Sequence, residues 1–165
     1  MNRVSKGLIL VLLLVSPAVE GLLVLQLNLV QLTALADRVF VGKCLQVKKA
    51  TDSNGRPVQY VTFQVSETLK GRPEERITFK QLVLATEERM KGNPGKTLDS
   101  DLPTYQVGEE AIVFLSDPSE IGLTAPIGLG QGLFRVETDP EGEKNVSNIY
   151  ANRGLFVGLK KVPAL

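Results

Sequence analysis

The residue types that carry most enzyme chemistry are sparse in this sequence of 165 residues. Histidine is absent, which excludes Ser-His-Asp and Cys-His nucleophiles and the histidine ligands of catalytic zinc. Carboxylate or Ser-Lys chemistry remains. Ser66 and Lys70 have helical spacing, but they lie at the end of a strand pattern. The adjacent acids, which occur in turn-like or loop-like sequence where carboxylates are usually solvated, are Glu74 with Glu75, Glu87 with Glu88, and Glu109 with Glu110. We therefore expect no catalytic residue and no cofactor.

A second acidic group, Asp139, Glu141 and Glu143, lies in "DPEGEKN". It lacks the D-x-[DN]-x-[DN]-G loop and the distal glutamate of a calcium site. A hairpin turn explains these acids better, and we expect no metal. The only cysteine, Cys44, cannot form a disulfide within the chain and is interpreted as a small apolar residue in a strand.

The segment "PIGLGQGLFRV", residues 126–136, has glycine at every second position. Gly128, Gly130 and Gly132 do not match the G-x-G-x-x-G dinucleotide motif, and a strand rather than a helix follows them. The favoured interpretation is a corner where the backbone kinks or approaches another strand closely, with Leu129 and Leu133 filling the interior. The alternative interpretation is that a bare backbone presents Gln131 to a ligand.

A candidate recognition surface lies between two predicted strands, in the sequence "ATEERMKGNPGKTLDSDLPTYQVG". Such a long stretch without strong periodicity is uncommon in a compact domain unless it has a function. It is either a surface loop used in recognition or a segment with a short helix around residues 86–90. The candidate binding residues from this loop, residues 85–107, and from the glycine segment are Glu87, Glu88, Arg89, Tyr105, Gly128, Gly130, Gln131 and Gly132.

The elements that position these residues begin with a short helix in "LNLVQLTALADRV". Asn28 and Gln31 have the spacing of a capping box. The residues predicted to share its apolar face are Leu29, Leu32, Leu35, Ala36 and Val39. We expect this face to pack on a sheet.

Alternating apolar residues after the helix predict five or six short strands. The first two place Val39, Val41, Leu45 and Val47 on one face, and Val61, Phe63, Val65 and Leu69 on another. The turn sequence "DSNGRP" predicts that they form a hairpin. Without a βαβ rhythm, the pattern favours a mostly β fold, a small antiparallel barrel of the oligonucleotide-binding or netrin-like kind with one short N-terminal helix. A β-sandwich is the alternative.

Composition and charge restrict the partners and the location of the protein. Its 19 basic and 18 acidic residues give a net charge of +1 without a block of like charges, so we expect no nucleic-acid partner. Residues 1–21 have the basic, apolar and small-residue regions of a signal peptide, cleaved after Ala18 or Gly21. Residues 22–165 then form a single β-rich domain. We expect export to the periplasm, cell envelope or medium, with membrane contact only if the leader is uncleaved.

Five segments in order, "LNLVQLTALADRVFVGKC", "VTFQVSETLKG", "YQVGEEAIVFL", "GLGQGLFRV" and "NRGLF", resemble a family of uncharacterised exported bacterial proteins over roughly residues 23–156. The resemblance implies a secreted or periplasmic domain of unknown activity. The fold order is also similar to the netrin-like module of metalloproteinase inhibitors, as a fold analogy only. The leading hypothesis is a non-enzymatic binding domain for a protein or envelope partner. The alternatives are a carboxylate- or lysine-dependent envelope enzyme and a structural envelope protein.

Overall fold

The computed structural model describes residues 25–83 and 103–159. In this part of the chain one short α-helix is followed by six β-strands. The elements are α1 (Leu29–Leu35), β1 (Arg38–Thr51), β2 (Pro57–Lys70), β3 (Arg76–Leu82), β4 (Glu110–Leu115), β5 (Leu133–Thr138) and β6 (Lys144–Ser147). A single 3-10 turn, Leu129–Gly132, leads directly into β5.

The six strands form one antiparallel sheet in the order β3-β2-β1-β4-β5-β6. The predicted mostly β fold with one short N-terminal helix is therefore confirmed. The sheet is not closed into a barrel, because its outer strands β3 and β6 do not pair with each other. Instead, the segment after β4 contacts β3 through an isolated parallel bridge between Lys80 and Leu123.

Each face of the sheet buries its own apolar cluster. The inner cluster consists of Phe40, Cys44, Val61, Phe63, Ile77, Phe79, Ala111, Val113, Leu115 and Leu133. The outer cluster consists of Leu27, Leu32, Ala36, Val39, Phe114, Phe134 and Leu155. Leu115 and Phe114 alternate between the two clusters as neighbouring strand residues must. Leu32 of helix α1 and Leu155 belong to the outer cluster, so these parts of the chain cover the outer face.

The predicted faces of the first hairpin were partly wrong. Strand β1 shifts register against β2 at three places, including between Cys44 and Gln46. A bulge adds a residue to one strand, so side chains beyond it no longer follow simple alternation. Phe40 and Cys44 point into the inner cluster, whereas Leu45 and Leu69, which had been predicted to face a core, are 39% and 53% exposed.

Helix α1 begins at the predicted capping box. The Asn28 side chain accepts a hydrogen bond from the Gln31 amide, and the Gln31 side chain accepts one from the Asn28 amide. Leu32 and Ala36 are buried as predicted, but Leu35 is 59% exposed. At the other end, the Lys70 ammonium group donates to the carbonyls of Thr33 and Ala36, which satisfies acceptors that a helix end leaves open.

Two hairpins in the sheet use the same turn. In the β1–β2 turn, the Oδ1 atom of Asp52 accepts from the backbone amides of Asn54 and Arg56. In the β5–β6 turn, the Oδ1 atom of Asp139 accepts from the amides two and four residues later in the same way. Each turn has a glycine of positive φ at the fourth position, which favours that residue type. The acids near Asp139 therefore belong to a hairpin turn, as predicted.

Candidate functional site

Two cavities lie along β3, and Tyr60 of β2 also lines the first of them. The first, here called the seam cavity, has a volume of about 340 Å³ and separates β3 from the end of β4. The second, here called the apolar cavity, has a volume of about 540 Å³ and continues past Gln81 and Leu82. Ser116 and Thr124 line both cavities. Because the two cavities share these lining residues, they are together called the β3 groove.

The seam cavity marks the place where the sheet fails to close. Ile77 and Phe79 of β3 lie on one side of it, and Leu115 of β4 lies on the other. One end is crossed by the hydrogen bond from the Thr124 amide to the Lys80 carbonyl, 2.8 Å long. At the opposite end Arg38, which lines the cavity, forms an ion pair with Glu74 at 2.9 Å.

The apolar cavity is built mainly by the segment that follows β4. Its lining residues are Gln81, Leu82, Ser116, Asp117, Ser119, Leu123, Thr124, Ala125 and Leu129. The hydroxyl groups of Ser116 and Thr124 bond to each other at 2.9 Å, and the Thr124 hydroxyl also donates to the Ser116 carbonyl. These polar groups are satisfied within the protein, so what the cavity offers a ligand is chiefly apolar surface.

Leu129 contributes to this wall from an unusual backbone conformation. Its φ is +59°, in the left-handed region where residues other than glycine are uncommon. The conformation costs on the order of 1–2 kcal/mol for a residue with a Cβ atom. Glycines occupy both neighbouring positions, and Leu129 itself belongs to neither the inner nor the outer cluster. Leu129 had been predicted to fill the interior, and it lies in the wall of the β3 groove instead.

The remaining glycine segment is a tightly packed corner. A Cβ atom on Gly132 would lie 2.6 Å from the Ile127 carbonyl oxygen, so this position requires the predicted close approach of the backbone. Gly128 has a φ of +61°, and Gly130 is buried. These three glycines shape the segment that carries Leu129, and their direct role in binding stays a prediction.

Gln131 ties the N-terminal segment to the sheet. Its side chain is 6% exposed, and its Oε1 atom accepts from the Leu27 amide at 2.8 Å. Its Nε2 atom donates to the Leu25 carbonyl at 2.9 Å. The backbone carbonyl of Gln131 accepts from the Asn148 side chain. Because both ends of the amide bond within the protein, its visible role is structural, and a ligand-binding role stays a prediction.

Tyr105 packs beneath the groove. Its ring contacts Phe63 and Phe79 edge-on, and its hydroxyl bonds to the Oε1 atom of Gln81 at 2.8 Å. Burial raises the pKa of Tyr105 well above its ordinary value of 10.0. This hydroxyl therefore remains protonated and fixes the Gln81 amide, which lines the apolar cavity.

The structure thus brings two regions of the predicted site to one groove: Tyr105 through Gln81, and the glycine segment through Leu129. Glu87, Glu88 and Arg89 lie outside the described residues. The contributions of β3 and of residues 116–125 were not predicted from the sequence. The position of β3 at the edge of the described sheet follows from strand order, which the sequence does not reveal.

Two further side chains, Cys44 and Asp52, have shifted pKa values. Burial raises the pKa of the Cys44 thiol, so the buried sulfur is held in its less nucleophilic form. In the first hairpin turn, hydrogen bonds from Arg56 lower the pKa of Asp52.

The chain matches no protein-family model, no curated protein and no solved structure. In residues 25–83 and 103–159, no helix has the length and apolar character needed to cross a membrane. The proposal about function therefore depends on the groove itself.

Proposed function

We propose that this protein is an exported, non-enzymatic binding domain that recognises a protein partner of the cell envelope through the β3 groove. The groove combines an apolar wall with a strand edge, and both are features that polypeptide segments use for recognition. The N-terminal sequence supports export, since residues 1–21 have the three regions of a signal peptide.

The observation that carries this proposal is the conformation of Leu129. If this position only had to turn the chain, glycine would do so without strain, as it does at Gly128. A leucine side chain held at positive φ in the groove wall indicates that the side chain itself is needed there. Strained residues of this kind concentrate at binding and active sites.

The test uses two substitutions that both relieve strain. Leu129→Gly removes the side chain from the groove and replaces it with the residue that the backbone favours. Ala151→Gly relieves a similar positive φ of +51° at a residue that does not line the groove. The full chain and both variants are immobilised, and proteins retained from the envelope fraction of the host are quantified by mass spectrometry. We expect one partner to be lost with Leu129→Gly and kept with Ala151→Gly.

Equal retention by all three proteins would reject the groove as the binding surface. Circular dichroism and urea denaturation establish that each variant is folded before capture is compared.

The likeness to oligonucleotide-binding and netrin-like barrels is also proposed, and its basis is the order of antiparallel strands after one short helix. In that proposal the seam cavity corresponds to an unclosed side of the barrel. The exported-family resemblance is likewise proposed, and its support is the order of the five sequence segments.

A further inference from the structure

One edge of β3 has hydrogen-bonding groups that point away from the rest of the sheet. The Val65 amide donates to the Glu75 carbonyl, and the Val83 amide donates to the Pro57 carbonyl. In an antiparallel ladder, alternate residues direct both backbone groups toward the same neighbour. Odd-numbered residues of β3 therefore face β2, and Arg76, Thr78 and Lys80 direct their backbone groups to the opposite edge.

Only part of this edge is occupied. The Lys80 carbonyl accepts from the Thr124 amide, which forms the parallel bridge described above. Within residues 25–83 and 103–159, neither Arg76 nor Thr78 receives or donates a backbone hydrogen bond on this side. Both residues are exposed, and the seam cavity lies beside Thr78. An extended segment placed there would continue the ladder.

The side chains along β3 define what such a segment should contain. Ile77 and Phe79 point into the inner cluster and line the seam cavity. Arg76 and Lys80 lie on the opposite face of the strand and form no ion pair within the described residues, and the Lys80 ammonium group donates to the Ile121 carbonyl at 2.6 Å. Since neighbouring strands pair side chains on the same face, apolar residues are favoured beside the first pair and acidic residues beside the second.

We propose that the outward edge of β3, which no described residue pairs with at Arg76 and Thr78, binds an extended polypeptide by strand addition, and that apolar and acidic residues alternate along the bound segment. This inference rests on the proposed function, because it names how the partner enters the β3 groove. Backbone hydrogen bonds to Arg76 and Thr78 hold the segment, and its alternate side chains enter the seam cavity.

The test uses a fluorescein-labelled peptide of alternating valine and glutamate, with a peptide of alternating valine and lysine as the comparison. Binding to the full chain is measured by fluorescence anisotropy. Thr78→Pro removes the outward amide but leaves the bonds to β2, which come from odd-numbered residues. Thr78→Val keeps the amide and is the matched control, since both variants lose the hydroxyl contact with Thr62.

We expect the glutamate peptide to bind about tenfold more weakly to Thr78→Pro, the change that one lost hydrogen bond produces. Thr78→Val should bind it about as well as the unmodified chain. A second variant, Arg76→Glu combined with Lys80→Glu, should reverse the preference in favour of the lysine peptide. This variant keeps the test valid even if proline destabilises the strand.

Failure of the unmodified chain to bind the glutamate peptide, equal binding of the two peptides, or unchanged binding by Thr78→Pro would overturn strand addition. The envelope capture experiment is independent of these results. If Leu129→Gly still loses the partner while the peptides do not bind, the groove function stands and strand addition is wrong. If capture is insensitive to Leu129, the proposed function fails.

Discussion

The two outer strands of the sheet, β6 and β3, differ in how their outward backbone groups are hydrogen-bonded among the described residues. At β6, the hydrogen bond from the Asp139 amide to the Glu143 carbonyl sets the ladder so that Val146 directs its backbone outward. The Asn152 side chain donates to the Val146 carbonyl at 2.7 Å and caps this edge. At β3, the equivalent outward groups of Thr78 have no such cap among the described residues.

The cap on β6 requires a strained turn. Ala151 and Asn152 have φ values of +51° and +58°. Asn148 holds the turn, since its Oδ1 atom accepts from the amides of Tyr150 and Asn152. Exposed edges promote unwanted pairing between chains. Among the described residues, a strained turn therefore protects the β6 edge, whereas the β3 edge has no such cap at Thr78 and carries two positive charges, Arg76 and Lys80. This is the difference expected if β3 is used for binding.

Among substitutions that test the difference between the two edges, Asn148→Ala is expected to lower stability most. The substitution leaves two backbone amides and the Gln131 carbonyl without their partner in a buried site. We expect the free energy of unfolding to fall by about 2–3 kcal/mol, measured by urea denaturation. Thr78→Val on the open edge should change it by less than about 0.5 kcal/mol. Similar losses at both positions would contradict the comparison.

A smaller effect is expected from Asn152→Ala, which removes the cap and keeps the backbone strain. The Val146 carbonyl loses its donor and the Asn148 amide loses its acceptor, and we expect destabilisation of about 1–2 kcal/mol. Sedimentation velocity should also detect self-association, because both sheet edges are then open. A variant that stays monomeric would show that the cap does not protect against pairing.

Relieving the strain without removing the cap should stabilise the protein. Ala151→Gly replaces a residue of positive φ by the residue that tolerates this conformation, and we expect a gain of about 0.5–1 kcal/mol. Thermal unfolding followed by circular dichroism measures the change. A loss of stability would mean that the turn is not strained at this position.

The smallest effect concerns the two matched hairpin turns. Arg56 pairs with Asp52 at 2.7 Å, whereas the corresponding residue of the second turn is Glu143. The pKa of Asp52 is lowered below 3.8, mainly by the hydrogen bond from Arg56. The stabilisation is therefore complete above that ordinary value and is lost as pH falls through the lowered pKa. In acid denaturation followed by circular dichroism, Arg56→Gln should lose less stability than the unmodified chain as pH falls below about 3.8, because less of its stability depends on ionised Asp52.

Local features of the sequence were the ones that predicted structure correctly. The capping box of Asn28 and Gln31 and the turn at Asp52 depend on residues four or fewer positions apart. The faces of β1 were mispredicted because its bulges depend on pairing with β2, which simple alternation does not contain. The barrel was expected from the succession of short strands without a βαβ rhythm. Whether the sheet closes depends on contacts between β3 and the end of β4, which the sequence pattern does not contain.

The groove was harder to predict for the same reason. Its walls come from β3, from the segment after β4 and from Leu129, which are distant in the sequence. The glycine spacing correctly indicated a close approach at Gly132, but it gave no sign that Leu129 adopts the conformation expected of its glycine neighbours. The burial of the Gln131 side chain could not be predicted either, since its partners Leu25 and Leu27 lie more than a hundred positions away in the sequence.

The contacts of Gln131 join the N-terminal described segment to a part of the chain that is distant in sequence. Leu25 and Leu27 bond to a residue 104 to 106 positions later, and the Leu29 amide bonds to the Leu155 carbonyl. A seven-residue helix is too short to persist alone in water. Residues 25–36 therefore keep their described position only when the segments around Gln131 and Leu155 are in place, so the start of the described fold depends on its end.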